Sequence, residues 1–309
     1  DPPIRRANPP PRRAAEYRVP LLAVCHTDGL PEFSLPRTKE EWARALAMAA
    51  AASILFSIAA KEILLAAAIL AIVVAKLPWR WPKLTLVPLA VFFALTLISA
   101  TAAGDWRTSL PQLKKFWAYL ILPVLATTLR DRQDAVRLVT LCVAGGVLSS
   151  LWSFGQFAWK YVAALKANTP FYTAYVGRRT TGFMSHWMTL GGQLSLLIPA
   201  TLAMVLTGAR NKLWKPALAV LTAALILNFT RGIWIATALA VVWLLWTNRP
   251  RLLWALPVIA LLALAIPPVR ERAISIVEPH GDTDSNAHRL VTWRTGVEMV
   301  KAHPWLGLG

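Results

Sequence analysis

Arg231 stands between two long apolar runs, residues 216–229 and 232–246. Each run alone is typical of a buried helix. A charge beside the hydrocarbon of a bilayer costs about 3 kcal/mol on insertion scales, so such a residue usually has a specific role. The segment therefore predicts two membrane spans that meet at a charged corner. The side of the membrane that this corner faces decides whether Arg231 orients the chain or performs a function.

The whole sequence is too apolar for an ordinary soluble domain. Its 309 residues are 56% hydrophobic, its mean hydropathy is +0.50, and apolar runs approach the length needed to cross a bilayer. We predict an all-α fold, a polytopic transmembrane helix bundle over residues 43–268, preceded by a basic, proline-rich cytoplasmic arm (1–42) and followed by the start of a large periplasmic loop (269–309). About nine spans are expected, at 43–60, 63–77, 84–103, 116–129, 136–159, 188–207, 215–229, 232–246 and 252–268.

The formal net charge of +18 is distributed in a way that orients the chain. If the amino terminus is cytoplasmic, every second corner is short and basic, as the positive-inside rule requires. These corners hold Lys76, Arg80 and Lys83; Arg130, Arg132 and Arg137; Arg210, Lys212 and Lys215; and Arg249 and Arg251. Lys114 and Lys115 run against the assignment. The excess of positive charge then favours contact with anionic membrane lipid over binding to nucleic acid.

The opposite face carries fewer basic residues in its short corners, and five arginines on this face are candidates for binding. They are Arg178, Arg179, Arg231, Arg289 and Arg294, with His186 at the start of the sixth span. Arginine presents a planar fork of five donors that suits phosphate oxygens. The alternative is that these arginines pair with lipid headgroups or with nearby acids. Spacing alone does not separate the two interpretations.

The histidines and acidic residues of the last segment give no clear metal site. Asp282 and Asp284 lie between His280 and His288, but this spacing is weak for a metal ion, and we predict no metal and no cofactor. His303 precedes a proline and favours a structural role. His186 either contacts phosphate or packs against its neighbour Trp187.

Three stretches resemble a known family. They are Gly177-Arg-Arg-Thr-Thr-Gly-Phe183, Leu227-Asn-Phe-Thr-Arg-Gly-Ile-Trp234, and Arg289-Leu-Val-Thr-Trp293 followed by His303-Pro-Trp-Leu-Gly-Leu-Gly309. In this order the chain resembles, from about residue 85 to its end, the O-antigen ligase and polymerase superfamily. These are membrane glycosyltransferases that move glycans from undecaprenyl pyrophosphate carriers. Each motif is loose by itself, and Thr230 takes the place of the family's serine.

The resemblance implies an inner-membrane enzyme with a periplasmic site and no metal. Arg231 and Arg289 match family arginines that hold the lipid-linked pyrophosphate, and we expect them to be catalytic. Arg178 and Arg179 match more weakly, and we expect them, with Arg294 and His186, to bind substrate. The family's general base is a histidine that follows the Gly-x-Gly segment. The sequence ends at Gly309, so we expect this histidine and about two further spans beyond it.

The resemblance favours an O-antigen ligase, with an undecaprenyl pyrophosphate-linked glycan as donor and the lipid A core as acceptor. The alternative within the family is the O-antigen polymerase, whose acceptor is a second lipid-linked glycan. A multi-span transporter of an anionic solute is the alternative outside it, but a transporter should show inverted internal repeats, and the sequence shows none. A membrane scaffold without activity is a further possibility that the arginines argue against.

Overall fold

The computed structural model describes residues 35–102, 106–207, 212–275, 285–305 and 307. Every regular element in these residues is a helix, which confirms the predicted fold class. Most of the basic arm, residues 1–34, lies outside them. The α-helices are α1 (Lys39–Ser53), α2 (Ile58–Val74), α3 (Lys83–Ala102), α4 (Trp106–Lys114), α5 (Ile121–Thr128), α6 (Arg132–Lys166), α7 (Phe171–Val176), α8 (Trp187–Leu206), α9 (Trp214–Leu227), α10 (Arg231–Asn248), α11 (Ala255–Leu264), α12 (Pro267–Ile274) and α13 (Ser285–Ala302). Short 3₁₀ turns at Lys115–Leu120 and Pro250–Trp254 precede α5 and α11.

The predicted number of about nine spans is not confirmed. Four helices in the described residues are long and apolar enough to cross a membrane, and a bent pair of helices brings the number to five at most. The four are α3, α6, α8 and α10. The other predicted spans correspond to helices of at most 17 residues, which is shorter than the ~20 residues that a helix typically needs to cross a hydrocarbon core of about 30 Å. The class of protein is nevertheless that of a multi-pass membrane protein.

The first two helices meet at a different place from the one predicted. The predicted spans 43–60 and 63–77 leave a tight corner at Lys61 and Glu62, but the chain turns at residues 54–57. There the hydroxyl of Ser57 accepts the N–H of Ala60 and caps α2. Lys61 lies buried inside α2. Its ammonium group contacts Glu62 at 2.5 Å, and this ion pair lets the helix continue through a charged position.

Helix α6 is the longest helix in the described residues, and it supports the candidate functional site that is described below. Its 35 residues span roughly 52 Å at 1.5 Å per residue, which exceeds the thickness of the hydrocarbon core. The helix therefore continues past the predicted end of the fifth span at residue 159. Close packing against α8 explains Gly146, because a Cβ atom there would lie 2.3 Å from the side chain of Leu197.

The segment after the last predicted span folds back on the bundle. At Pro267 the chain bends by 109° between the 250–264 segment and α12. Proline suits this first turn, since its missing N–H would have no helical partner there. Residues 269–309 are predicted to begin a large periplasmic loop, and within this segment Val269 and Arg272 of α12 are buried. The bend thereby carries Arg272 to the corner between α9 and α10.

Candidate functional site

The corner between α9 and α10 is fixed by the side chain of Asn228, which is fully buried. Its Nδ2 donates to the carbonyl oxygens of Thr180 at 3.3 Å and Trp187 at 3.0 Å. Its Oδ1 accepts the hydroxyl of Thr230 at 2.6 Å. Because one buried amide joins the corner to the segment before α8, the two segments hold a single relative position.

The segment before α8 is fixed in turn by polar side chains of α6. The Oε1 atom of Gln156 accepts the backbone N–H groups of Thr181 at 2.9 Å and Gly182 at 3.1 Å. The ammonium of Lys160 donates to the carbonyl oxygen of Arg179 at 2.9 Å. Gly182 has a φ of +60°, and a Cβ atom would lie 2.3 Å from the hydroxyl of Ser149. This segment is therefore part of the rigid framework rather than a loose loop.

Arg179 is a buried cation with an unsatisfied donor. It is only 5% exposed, and its Nε atom is buried without a hydrogen-bond partner among the described residues. Its guanidinium lies 5.2 Å from the ring centroid of Trp187. Burial and the positive charges of Arg272 and Arg231 together lower the pKa of Arg179 to about 10, while Tyr175 and Tyr172 oppose the shift. The group remains cationic at neutral pH, so a charge is buried here with no carboxylate paired to it among the described residues.

Arg272 is a site residue that the sequence analysis did not single out. It is 1% exposed. Its Nε donates to the carbonyl oxygen of Phe229 at 2.9 Å, and its Nη1 donates to the hydroxyl of Tyr172 at 3.2 Å. Because Arg272 follows the last apolar run, the sequence analysis included it in the predicted loop that begins at residue 269. A proline pair at 267–268 followed by a short amphipathic segment is the signal that could have indicated a helix there.

Arg231 is the first residue of α10 and is partly exposed. Its Nη1 donates to the carbonyl oxygen of Ser275 and, at 3.1 Å, to the Ser275 hydroxyl. The N-cap residue Thr230 makes no side-chain capping bond. The start of α10 therefore adds its own partial positive charge beside the guanidinium.

We call Arg179, Arg231 and Arg272 the arginine cluster. Three separate segments of the chain bring these residues together: the segment before α8, the corner before α10, and α12. Three positive charges this close to one another favour an anion with several oxygen atoms, because the arginine guanidinium suits phosphate oxygens in charge and geometry. The arrangement is suited to a phosphate or pyrophosphate.

The remaining predicted residues lie elsewhere or have a structural contact. Arg178 is exposed beside Arg179, and Arg289 and Arg294 lie exposed on α13. No hydrogen bond or ion pair within the described part of the chain joins these three to the arginine cluster. His186 caps α8, since its Nδ1 accepts the N–H of Met188 at 3.1 Å, and its ring stacks on Trp187 at 4.1 Å. The predicted packing against Trp187 is therefore confirmed, and contact of His186 with substrate stays a prediction.

Within the described ranges, no group of three histidine, cysteine, aspartate or glutamate side chains could hold a metal ion. The weak metal candidates of the sequence analysis are not tested by this observation. His280, Asp282 and Asp284 lie outside the described residues, as does the side chain of His288.

A comparison with known proteins agrees with the resemblance found in the sequence. Residues 216–309 match a family model described as O-antigen ligase. No curated protein and no solved structure matches the chain. The matched region contains the corner with Arg231, the buried Arg272 and helix α13. The resemblance to the O-antigen ligase and polymerase superfamily is therefore confirmed over residues 216–309.

Proposed function

We propose that the protein is an O-antigen ligase of the bacterial inner membrane, which transfers a glycan from undecaprenyl pyrophosphate to the lipid A core at the periplasmic face. The observation that carries this proposal is the arginine cluster, and above all the buried Arg179 with its unpaired Nε. A buried cation without a partner is costly. A substrate anion that occupies the site would offset this cost.

The cluster fits the chemistry of the transfer. When the bond between the glycan and the carrier breaks, negative charge develops on the pyrophosphate that leaves. In this proposal Arg179 and Arg231 donate hydrogen bonds to its oxygens, and donors that are already fixed in a site of low polarity stabilise such charge strongly. Arg272 acts through the backbone, because its hydrogen bond to the Phe229 carbonyl holds the turn that presents Arg231.

The position of the cluster along α6 supports a site at one membrane face. Arg137 near the start of α6 belongs to a predicted cytoplasmic corner, whereas Gln156 supports the segment with Arg179. The 19 helical steps from Arg137 to Gln156 span about 28 Å, close to the thickness of the hydrocarbon core. The arginine cluster and the basic corner at Arg130, Arg132 and Arg137 therefore lie near opposite ends of this helix, as the proposed orientation requires.

The test uses the lipopolysaccharide of a bacterial host that lacks this gene, rescued with the complete wild-type gene or with Arg231→Ala. The proposal requires that the host without the gene, and the host with the variant, lose all polymeric glycan from the core while lipid-linked polymer accumulates. The wild-type gene should restore the full ladder of bands. Equal accumulation of both proteins in the membrane serves as the control for folding.

The same experiment separates the alternatives. A core that carries only a single repeat unit would assign the protein to O-antigen polymerases. An unchanged ladder in the host without the gene would contradict both assignments and favour the transporter of an anionic solute. Normal ligation by Arg231→Ala would be compatible with the family assignment, but it would show that the arginine cluster takes no part in the reaction.

A further inference from the structure

A cavity lies between α1 and the first turns of α6, away from the arginine cluster. Its volume is about 420 Å³, within the range of about 300–1,000 Å³ that is usual for sites of small ligands. Its wall is mainly apolar. The residues that line it are Pro36, Glu41, Arg44, Ala45, Met48, Ala49, Ala52, Ser53, Phe56, Arg137 and Leu141. It belongs to neither the proposed glycan-transfer site nor any motif of the sequence analysis.

Two arginines at one end of this cavity share a single carboxylate. The Nη1 atoms of Arg44 and Arg137 each lie 3.3 Å from the same oxygen of Asp134, which is fully buried. The second oxygen of Asp134 accepts the backbone N–H of Arg130 at 3.0 Å. The Nε atoms of Arg44 and Arg137 are buried, and neither has a hydrogen-bond partner among the described residues. Two guanidinium groups thus keep unused donors beside one carboxylate.

The other acid of the cavity is already engaged. The carboxylate of Glu41 accepts the backbone N–H groups of Arg37 at 2.6 Å and Thr38 at 3.3 Å. This contact is part of the capping box at the start of α1. Both of its hydrogen bonds are to the helix start, and its charge also acts on Arg44. The Nε donors of Arg44 and Arg137 remain unsatisfied and favour an additional anion.

The rest of the cavity is a narrow apolar path along α1. Residues at helical spacing, from Arg44 to Ser53, form one stripe on this helix, and small alanine side chains leave the space open. The nine helical steps from Arg44 to Ser53 span about 14 Å at 1.5 Å per residue. Phe56 closes the far end and Leu141 of α6 forms the opposite wall. One charged end and one long apolar path match a molecule that has a charged head and a hydrocarbon tail.

We infer that this cavity binds a glycerophospholipid with an anionic headgroup. Its phosphate lies against the guanidinium groups of Arg44 and Arg137, and one acyl chain follows the alanine stripe toward Phe56. The occupant joins α1 to α6 at the membrane end opposite the arginine cluster. The inference is independent of glycan transfer, since none of its residues belongs to the proposed reaction site.

The experiment titrates the purified full chain in a neutral detergent with phosphatidylglycerol and, separately, with phosphatidylcholine, whose headgroup has no net charge. Native mass spectrometry counts the bound lipids. We expect one phosphatidylglycerol molecule to bind at least tenfold more tightly than phosphatidylcholine. Two variants test the two ends of the cavity. Arg137→Gln removes a phosphate donor, and Ala49→Phe fills the apolar path while both arginines remain, and each should weaken binding at least tenfold.

Lys39→Gln is the matched control, because it removes one positive charge from the exposed start of α1 without lining the cavity. This variant should bind phosphatidylglycerol like the wild type. Equal weakening by Lys39→Gln and Arg137→Gln would show surface electrostatics only and overturn the inference. Wild-type binding by Ala49→Phe would overturn it as well, even if Arg137→Gln does not fold. Tighter binding of a polyprenyl phosphate than of phosphatidylglycerol would overturn the assignment to a glycerophospholipid.

Discussion

The Nε atom of Arg272 donates a hydrogen bond of 2.9 Å to the carbonyl oxygen of Phe229, a residue whose φ is +55°. A side chain other than glycine is strained in this left-handed conformation. The fully buried Phe229 ring contacts Tyr175 with a centroid distance of 5.1 Å, so packing and the buried guanidinium together hold the turn. The turn directs the next two residues, Thr230 and Arg231, into the start of α10.

We predict that Arg272→Lys lowers both stability and glycan transfer. Lysine keeps the charge but cannot donate to the Phe229 carbonyl and the Tyr172 hydroxyl in the two directions that the guanidinium reaches. Loss of these buried bonds costs about 1–3 kcal/mol. A thermal melting curve in detergent measures the first effect, and ligation by membranes measures the second. Arg270→Lys, an exposed position on the same helix, should change neither, and an unchanged melting curve for Arg272→Lys would contradict the positioning role.

Arg178 and Arg179 are adjacent, but the structure gives them different environments. We predict that Arg179→Gln reduces ligation by about 100-fold or more, the loss expected when a donor to a developing negative charge is removed. Arg178→Gln, at the exposed neighbour, should retain nearly full activity. Both variants are compared by the rate at which membrane vesicles transfer glycan to the lipid A core. The opposite result would assign the substrate contact to Arg178.

The burial of Arg179 leads to a further prediction, which concerns the stability of the protein. Arg179 has an unpaired Nε and two further arginines nearby, so its charge destabilises the protein when no anion is bound. Arg179→Gln should therefore raise the melting temperature of the substrate-free protein, by roughly 2–4 °C for each kcal/mol gained. Arg178→Gln is again the control, with no change expected. A lower melting temperature for Arg179→Gln would show that this guanidinium is structural.

Gly191 and Gly192 offer a matched pair for the geometry of the corner. A Cβ atom at Gly191 would lie 2.5 Å from the side chain of Ile233 and 2.9 Å from Oδ1 of Asn228. Gly191→Ala should therefore displace the corner, with a loss of about 1–3 kcal/mol in stability and a lower rate of transfer. At Gly192 a Cβ atom would meet nothing within 4 Å, so Gly192→Ala should be neutral or slightly stabilising. Equal effects of the two variants on melting temperature would contradict this packing.

The role of Arg289 depends on the resemblance, not on a described contact. We predict that Arg289→Ala abolishes ligation while the melting temperature stays unchanged, because the side chain is exposed on α13. Lys301→Ala, at an exposed position of the same helix, should keep full activity. Both are measured by rescue of the lipopolysaccharide ladder. Normal rescue by Arg289→Ala would remove this residue from the reaction and leave the arginine cluster untouched.

Part of the candidate site could be predicted from the sequence because it depends on local patterns. Arg231 was visible as a charge between two apolar runs. Arg179 was visible only as one of an adjacent pair, and neither spacing nor composition could tell it from Arg178. The difference arises because Gln156 and Lys160 of a distant helix fix the backbone of that segment, which turns Arg179 inward and leaves Arg178 outside.

The sequence by itself determined the helical membrane class, the charged corner at Arg231 and the motifs shared with O-antigen ligases, since apolar run length and short motifs are properties of neighbouring residues. The tertiary structure alone decided which helices of the described residues are long enough to cross a membrane, and that the bend at Pro267 buries Arg272 beneath the corner. The convergence of Arg179, Arg231 and Arg272 depends on contacts between residues far apart in the chain. Such contacts follow from the packing of whole helices, which a local sequence pattern does not specify.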